Sequence, residues 1–412
     1  MEFDIIVIGA GPSGLMAAGR AAELGAKVLL LEKNKQAGIK LLMSGGGRCN
    51  FTNLSTTNLF ANSIGVNGKW LLSSLKYFGP LELIDFFQGR GLATKIEDNN
   101  RVFPASDKAK DILDILLDHN HAHDVIMRTQ AEVAKIVAVD NKIDCIILKD
   151  GQKLQARKYI IAVGGNSYPH SGSSGDAYNW LKSFGHSIIQ PRPALGQIYI
   201  KGAPTTLEGL SLDKVSLTLY EEAHPVDKEE ASLMFTAKGL SGPAAINLSR
   251  KISPLPTKNL SVKLDCFPDE SYEALDKRLQ KIIVTHQRLD LKNIISHIVP
   301  KRLADYYLFL LDINPEKKGS EFNHNQRLAL VDIFKNKEMP ISGLADFNEA
   351  MITIGGVNLK EVEASTMASK IISNLYFAGE CLDLDGPTGG YNLQIAWTTG
   401  YLAGSSAADS LE

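Results

Sequence analysis

Residues Phe3 to Ile8 form an apolar run broken only by Asp4, and glycines follow at Gly9, Gly11 and Gly14. Leu15 to Leu24 carries helix-forming Ala, Met, Arg, Glu and Leu, and a second apolar run from Lys27 to Leu31 ends at Glu32. Strand, tight turn, helix and strand in that order predict a βαβ unit. Ala131 to Asp150 has strand character with polar punctuation, and Lys158 to Val163 reads as another buried strand that breaks into Gly164 and Gly165. At Gln190-Pro-Arg-Pro-Ala194 two prolines read as a linker.

Beyond that linker the pattern changes. Gln197 to Lys201, Val215 to Tyr220, Ala231 to Thr236 and Leu260 to Asp265 are short apolar or alternating segments, as a small antiparallel sheet or barrel requires. From Asp269 to Leu311 the spacing becomes helical, with Leu275, Leu279, Ile282 and Ile283 three and four residues apart. Strand character returns from Met339 to Ile354, and a C-terminal glycine-rich segment leads into a helical run, Ile395 to Ala403. The pattern predicts a discontinuous nucleotide-binding domain with a cap inserted in it.

A chain of 412 residues exceeds one ordinary core, so two or three domains are expected. Composition is globular, 44% hydrophobic and 22% charged, and a net charge of -2 provides no global field for polyanions. A nucleic-acid partner would need a local patch. The first strand begins at Phe3, leaving no room for a signal peptide, and no apolar run reaches membrane-spanning length. Cys49, Cys145, Cys266 and Cys381 are scattered without CxxC spacing, and the histidines show no ligand spacing, so no metal is expected. A cytoplasmic protein with no membrane partner is the expectation; oligomeric state is not readable.

Gly9, Gly11 and Gly14 match GxGxxG, which permits a tight turn, close approach of backbone to a pyrophosphate, and close packing of helix on strand. Glu32 stands where a carboxylate accepts hydrogen bonds from ribose hydroxyls. Three consecutive glycines within Ser44-Gly-Gly-Gly-Arg-Cys-Asn50 fit backbone amides meeting a flat or charged ligand, and Lys40 and Arg48 could balance its phosphates. Near the C-terminus Ala378-Gly-Glu380 follows an apolar stretch, and Thr388-Gly-Gly-Tyr-Asn-Leu-Gln394 opens a helix whose amides would favour negative charge on a flavin pyrimidine edge. Glycine segments at both ends of the chain predict one long ligand held by both, and FAD fits. The expected contacts are Gly9, Gly11, Pro12, Ser13 and Gly14; Glu32 and Lys33; Lys40 and Leu41; Ser44, Gly45, Gly46, Gly47, Arg48, Cys49 and Asn50; Val133; Ala162, Val163, Gly164 and Gly165; and Gly379, Glu380, Asn392, Leu393 and Gln394.

The Ser44–Asn50 loop, Arg101-Val-Phe-Pro-Ala-Ser-Asp-Lys108, Val163-Gly-Gly-Asn-Ser-Tyr-Pro169 with Gly175-Asp176, Met234-Phe-Thr-Ala-Lys-Gly-Leu-Ser-Gly-Pro243, Thr353-Ile-Gly-Gly-Val357 and Gly379 to Gln394 occur in the order seen in the BaiN-like flavoproteins, also called the aminoacetone oxidase family. The resemblance covers nearly the whole chain. It implies an α/β fold in which a glutathione-reductase-like (Rossmann-type) FAD-binding domain, 1–190 and 355–412, holds an inserted β-barrel domain, 191–267 and 323–354, and a small helical subdomain, 268–322. One departure stands out: members commonly carry histidine in Phe-Thr-His-x-Gly-Leu-Ser-Gly-Pro, where this chain has Ala237, so no role of that histidine carries over.

The resemblance implies an FAD-dependent oxidoreductase working by hydride transfer at flavin N5. It leaves three substrate classes open: a small amino ketone, a steroid carbon–carbon double bond, and a uridine of large-subunit ribosomal RNA. With a single dinucleotide fingerprint, NAD(P)H would visit as a transient electron donor. An RNA substrate draws on Lys277 to Arg302, where seven Lys and Arg and two His stand against the single acid Asp290; a solvated helix face is the alternative. A reductase must also protonate the neighbouring carbon, and Cys49, Tyr168 and His170 are the candidates. An FAD-binding redox sensor without turnover is the non-enzymatic alternative.

Overall fold

The computed structural model describes residues 2–256 and 258–411. It divides into two compact units, Met1–Pro193 with Phe347–Glu412, and Ala194–Asp346.

The first unit is organised by a five-stranded sheet in the order Leu375–Phe377, Ala156–Ile161, Phe3–Ile8, Val28–Leu31, Ile126–Arg128, with every pairing parallel. Val7 lies between Ile160 and Leu30. Such strands are covered on both faces, which is why Val28–Leu31 is buried at every position and reads as continuous apolar sequence. Each of these side chains contributes roughly 1.5–3 kcal/mol on burial. Two helices, Pro12–Glu23 and Tyr391–Asp409, pack on each other and on the sheet. The stretch from Ala131 to Asp150 forms a hairpin, Val133–Val139 with Lys142–Leu148, turning at Asp140 and Asn141, both at positive φ.

Gln190–Ala194 is not the free linker expected. It lies in the strand Ile188–Ala194, paired only with Ile352–Val357. Proline lacks the ladder N–H, and a two-stranded pairing leaves one edge where that loss is harmless. The prolines nevertheless mark the boundary, which falls after Pro193.

In the second unit six strands, Ile198–Ile200, Gly239–Ser241, His224–Thr236, Ser211–Glu221, Leu260–Asp265 and Lys337–Leu344, close into an antiparallel barrel. Val215, Leu217, Leu219, Val262 and Leu264 share one apolar core with Leu275 and Leu279 of the helix Tyr272–Thr285, Leu303 of Lys301–Leu310 and Phe334 of His324–Asn336. Barrel and helices are therefore one cooperative core, although their sequence periods differ. The segment 323–354, expected to belong to the barrel, opens with the helix His324–Asn336; Asn323 Oδ1 caps it by accepting from the Gln326 backbone N–H, and Gln326 Oε1 accepts in return from the Asn323 N–H.

Candidate cofactor site

A β-carbon added at Gly9, where φ is 101°, would lie 2.5 Å from the Ala162 carbonyl oxygen, and one at Gly14 would lie 1.8 Å from the Gly9 oxygen. At Gly11 it would meet nothing within 4 Å. The outer glycines thus exist for protein packing, and the middle one opens a cradle. The helix Pro12–Glu23 that begins there has no side-chain cap and no acid in its first turn. Amides at the positive end of a helix, beside a backbone stripped of side chain, fit a pyrophosphate. Glu32, buried at the end of the next strand, accepts from the Ala10 N–H at 3.0 Å and the Asn34 N–H at 2.8 Å. These bonds orient the carboxylate and leave acceptor sites for ribose hydroxyls.

The C-terminal helix, Tyr391–Asp409, also begins without a side-chain cap or a first-turn acid. Its Gly400 would place a β-carbon 2.4 Å from the Ser13 carbonyl oxygen, and Gly404 one 2.4 Å from that of Ala17. Successive contacts advance together along both helices, so the helices are parallel. Tyr391 precedes Gly400 by nine residues and Pro12 precedes Ser13 by one, which starts this helix about 12 Å ahead of the N-terminal one. Two uncapped helix N-termini facing the same way at a stagger suit an extended dinucleotide, with phosphate at one and an electron-accepting ring at the other.

Between them lies a hydrogen-bond junction. Thr353, fully buried in the strand Ile352–Val357, accepts at Oγ1 from the Asn166 N–H at 2.7 Å and the Ser167 N–H at 3.0 Å. Its own N–H donates to Glu380 Oε1 at 2.7 Å, and Glu380 Oε2 accepts from Lys40 Nζ at 2.7 Å. Ser13, Gly379 and the C-terminal helix join through the Ser13 hydroxyl to the Ala378 oxygen at 3.4 Å and the Gly379 N–H to Thr399 Oγ1 at 2.9 Å. Asn50, its amide oriented by its neighbours, donates to the Val102 and Thr52 oxygens and accepts from the Gly390 N–H. The glycine segments expected from sequence are thus brought together: Gly9–Gly14, Lys40, Asn50, the Val163–Gly165 turn, and Gly379–Glu380.

Other expected contacts also make bonds or packing within the protein. Arg48 pairs with Glu97 and with Asp107, whose Oδ1 lies 2.8 Å from its Nε, and stacks on Phe103, so its charge is already compensated. Lys33 pairs with Asp176 at 2.6 Å. Asn392 closes the turn at Gly386, and the fully buried Gln394 bonds Thr52 and Thr398. Leu41 and Val133 are core residues, while Gly45 and Gly46 are exposed. Val163 and Leu393 are partly buried and pack against the core.

Cys49 is fully buried, and burial pushes its thiol up to about 12, partly offset by a hydrogen bond with Ser44. With no exposed surface, the Cys49 thiol is the less accessible of the proton-donor candidates. Tyr168 is half-buried, holds φ of 54°, and meets the exposed His170 edge to face at 5.5 Å. Sequence reasoning missed Thr353 and Thr399. A hydroxyl ahead of two glycines was the available signal for Thr353; nothing local marks Thr399, whose role comes from the chain crossing above it.

Residues 3–406 match the family model described as HI0933-like protein Rossmann domain. The chain belongs to the HI0933-like family. Its relatives include a ribosomal RNA dihydrouridine synthase of Escherichia coli (strain K12), 31% identical over 97% of this chain and 96% of that one. A 3-dehydro-bile acid delta(4,6)-reductase of Clostridium scindens is 32% identical over 98% of both. In fold the HI0933-like chain is similar to 3-ketosteroid-delta4-(5alpha)-dehydrogenase from Rhodococcus jostii RHA1, with a TM-score of 0.54 and 15% identity over 98% of this chain and 96% of that one. The resemblance read from the motifs is borne out: this HI0933-like protein is an FAD-dependent oxidoreductase with FAD as its cofactor. No helix among the described residues is long and apolar enough to cross a membrane.

Proposed function

We propose that the chain reduces a carbon–carbon double bond conjugated to a carbonyl, and that this bond belongs to a uridine of large-subunit ribosomal RNA. Full-length similarity to two relatives whose names specify reductions carries the reading, one forming dihydrouridine and one acting at a bile-acid Δ4,6 system. In both chemistries a carbonyl polarises the double bond, so hydride adds at one carbon and a proton at its neighbour. FAD, once bound and reduced by NAD(P)H as the proposed reductant, would supply the hydride.

The chain's own residues would do the rest. Glu32 and the amides at Gly11–Gly14 hold the dinucleotide end, and the N-terminus of Tyr391–Asp409 stabilises negative charge at the other. We assign proton delivery to the Tyr168 phenol. A bulky residue in the left-handed region costs about 1–3 kcal/mol, and here it follows directly the turn that Thr353 holds. The exposed His170 ring packs edge to face against it. A small-molecule substrate, an amino ketone or a double bond in a metabolite, is the second reading, favoured by the equal similarity to the bile-acid enzyme.

The test is anaerobic reduction of the purified protein with NADPH and NADH, followed by mixing with ribosomal RNA transcript, a small amino ketone or air while the flavin band is recorded. Prompt reoxidation by RNA and slow reoxidation by oxygen support the RNA reading. Reduction by the amino ketone but not by pyridine nucleotide, with peroxide formed in air, would replace it with a small-molecule oxidase. Tyr168→Phe should slow RNA-dependent reoxidation at least tenfold while leaving NAD(P)H reduction unchanged.

A further inference from the structure

The seven cations between Lys277 and Arg302 are not equivalent. Arg278 pairs with Glu270, Lys292 with Glu316 at 3.3 Å, and Arg302 donates to the Thr206 and Glu208 carbonyl oxygens. Lys277, Lys281, Arg288 and Lys301 are exposed and make no ion pair among the described residues. Among the acids nearby, Asp276 is held by Arg327 and Asp290 by Lys318, while two exposed acids oppose the cations: Glu273, one helical turn before Lys277 and accepting from the Ser271 hydroxyl, and Asp305. Lys277 and Lys281 are one helical turn apart on Tyr272–Thr285 and share a face.

The other two stand close in sequence to a pair of rings. His286 and His297 stack with centroids 4.9 Å apart and planes within 18°, pinning the end of Tyr272–Thr285 to the end of Leu291–Ile295. Arg288 follows one ring by two residues and Lys301 follows the other by four. His297 is the exposed ring and His286 the half-buried one. Unpaired cations around an exposed ring are what a single-stranded polynucleotide uses: phosphates meet the cations and a splayed base extends the stack.

We propose that this surface docks the RNA substrate, with Lys277, Lys281, Arg288 and Lys301 on phosphates and His297 stacking an unpaired base. The inference rests on the RNA reading above and adds the contact set. The probe is a fluorescein-labelled large-subunit ribosomal RNA transcript, titrated with FAD-loaded protein by anisotropy across a range of salt. Each phosphate contact contributes about 0.7–0.9 to the slope of log affinity against log salt, so K277A/K281A/R288A/K301A should lower the slope by about 3. His297→Ala should weaken binding at least about fivefold with the slope unchanged. K135A/K142A, at two exposed lysines of the first unit, controls for general loss of charge.

Flavin content and the rate of NAD(P)H reduction should stay at wild-type values in all three variants. If wild-type protein binds the RNA and is reoxidised by it, yet the fourfold variant keeps the same slope and affinity, the docking surface is wrong and the RNA reading survives. Failure of the wild-type protein both to bind the transcript and to be reoxidised by it removes the reading and the surface together.

Discussion

Thr353 Oγ1 is the acceptor for two backbone amides, and valine in its place has the same shape without that acceptor. Thr353→Val leaves the Asn166 and Ser167 N–H groups buried and unpaired, at about 1–3 kcal/mol each. The variant should be less stable by at least about 2 kcal/mol in urea unfolding and should release FAD more readily, whereas Thr353→Ser keeps both properties. Equal FAD affinity in the valine variant would mean the junction does not support the cofactor. His119 poses the opposite problem, a buried ring that cannot charge. Its Nε2 has no partner, and burial first, then the charges of Arg90 and His123, push its pKa down from 6.5 to about 4. The unfolded chain therefore takes up a proton near pH 6.5 that the native state refuses until about 4. Stability from this residue is full above pH 6.5 and is lost as pH falls toward 4. His119→Phe, which preserves the edge-to-face contact with Phe86, should flatten the urea midpoint over that window.

At the scale of elements, the two parallel helices start at a stagger that suits the two ends of the cofactor, and Gly400 and Gly404 set how closely they pack. Alanine is better than glycine in a helix by about 1 kcal/mol, so Gly404→Ala on a free surface would stabilise. Here the new methyl meets the Ala17 carbonyl oxygen at 2.4 Å, and neither backbone can yield without moving its helix. Overpacking of this kind costs about 1–3 kcal/mol. A net loss of stability with weakened FAD binding is expected, by thermal unfolding and by fluorescence of released flavin; a stabilised variant with normal affinity would show that the spacing is slack. This level is also where the sequence was most readable. Phe3–Ile8, the glycine turn and Val28–Leu31 announce themselves because a parallel strand buried on both faces is continuously apolar. The helix His324–Asn336 was missed because its polar face obscures the period, and the proline-bearing strand Ile188–Ala194 because proline signals a break whenever its unpaired edge is not known. The ion pairs of Arg48 were not legible for a different reason: Glu97 and Asp107 stand some fifty to sixty residues away and are brought to it by folding.

The whole molecule offers a natural probe of its own organisation. The FAD-binding unit is assembled from both ends of the chain: the strand Leu375–Phe377 completes a sheet begun at Phe3, and the C-terminal helix covers the first one. Trp70, Trp180 and Trp397 are the three tryptophans of the chain, and all lie in this unit, with Trp397 fully buried and its indole N–H donating to the Phe51 oxygen at 3.0 Å. Intrinsic fluorescence during unfolding therefore reports the cofactor unit, while the barrel and its helices contribute none of the tryptophan signal. A ligand that binds only the native state adds about 2.7 kcal/mol at one hundred times its dissociation constant. Returning FAD at that excess to stripped protein should raise the urea midpoint of tryptophan fluorescence by the corresponding amount. On the proposed site the ligand bridges segments nearly the full chain length apart, so a chain cut after residue 372 should lose that response entirely, even if the second unit still folds. A midpoint that ignores FAD in the intact chain would contradict a cofactor held by both ends.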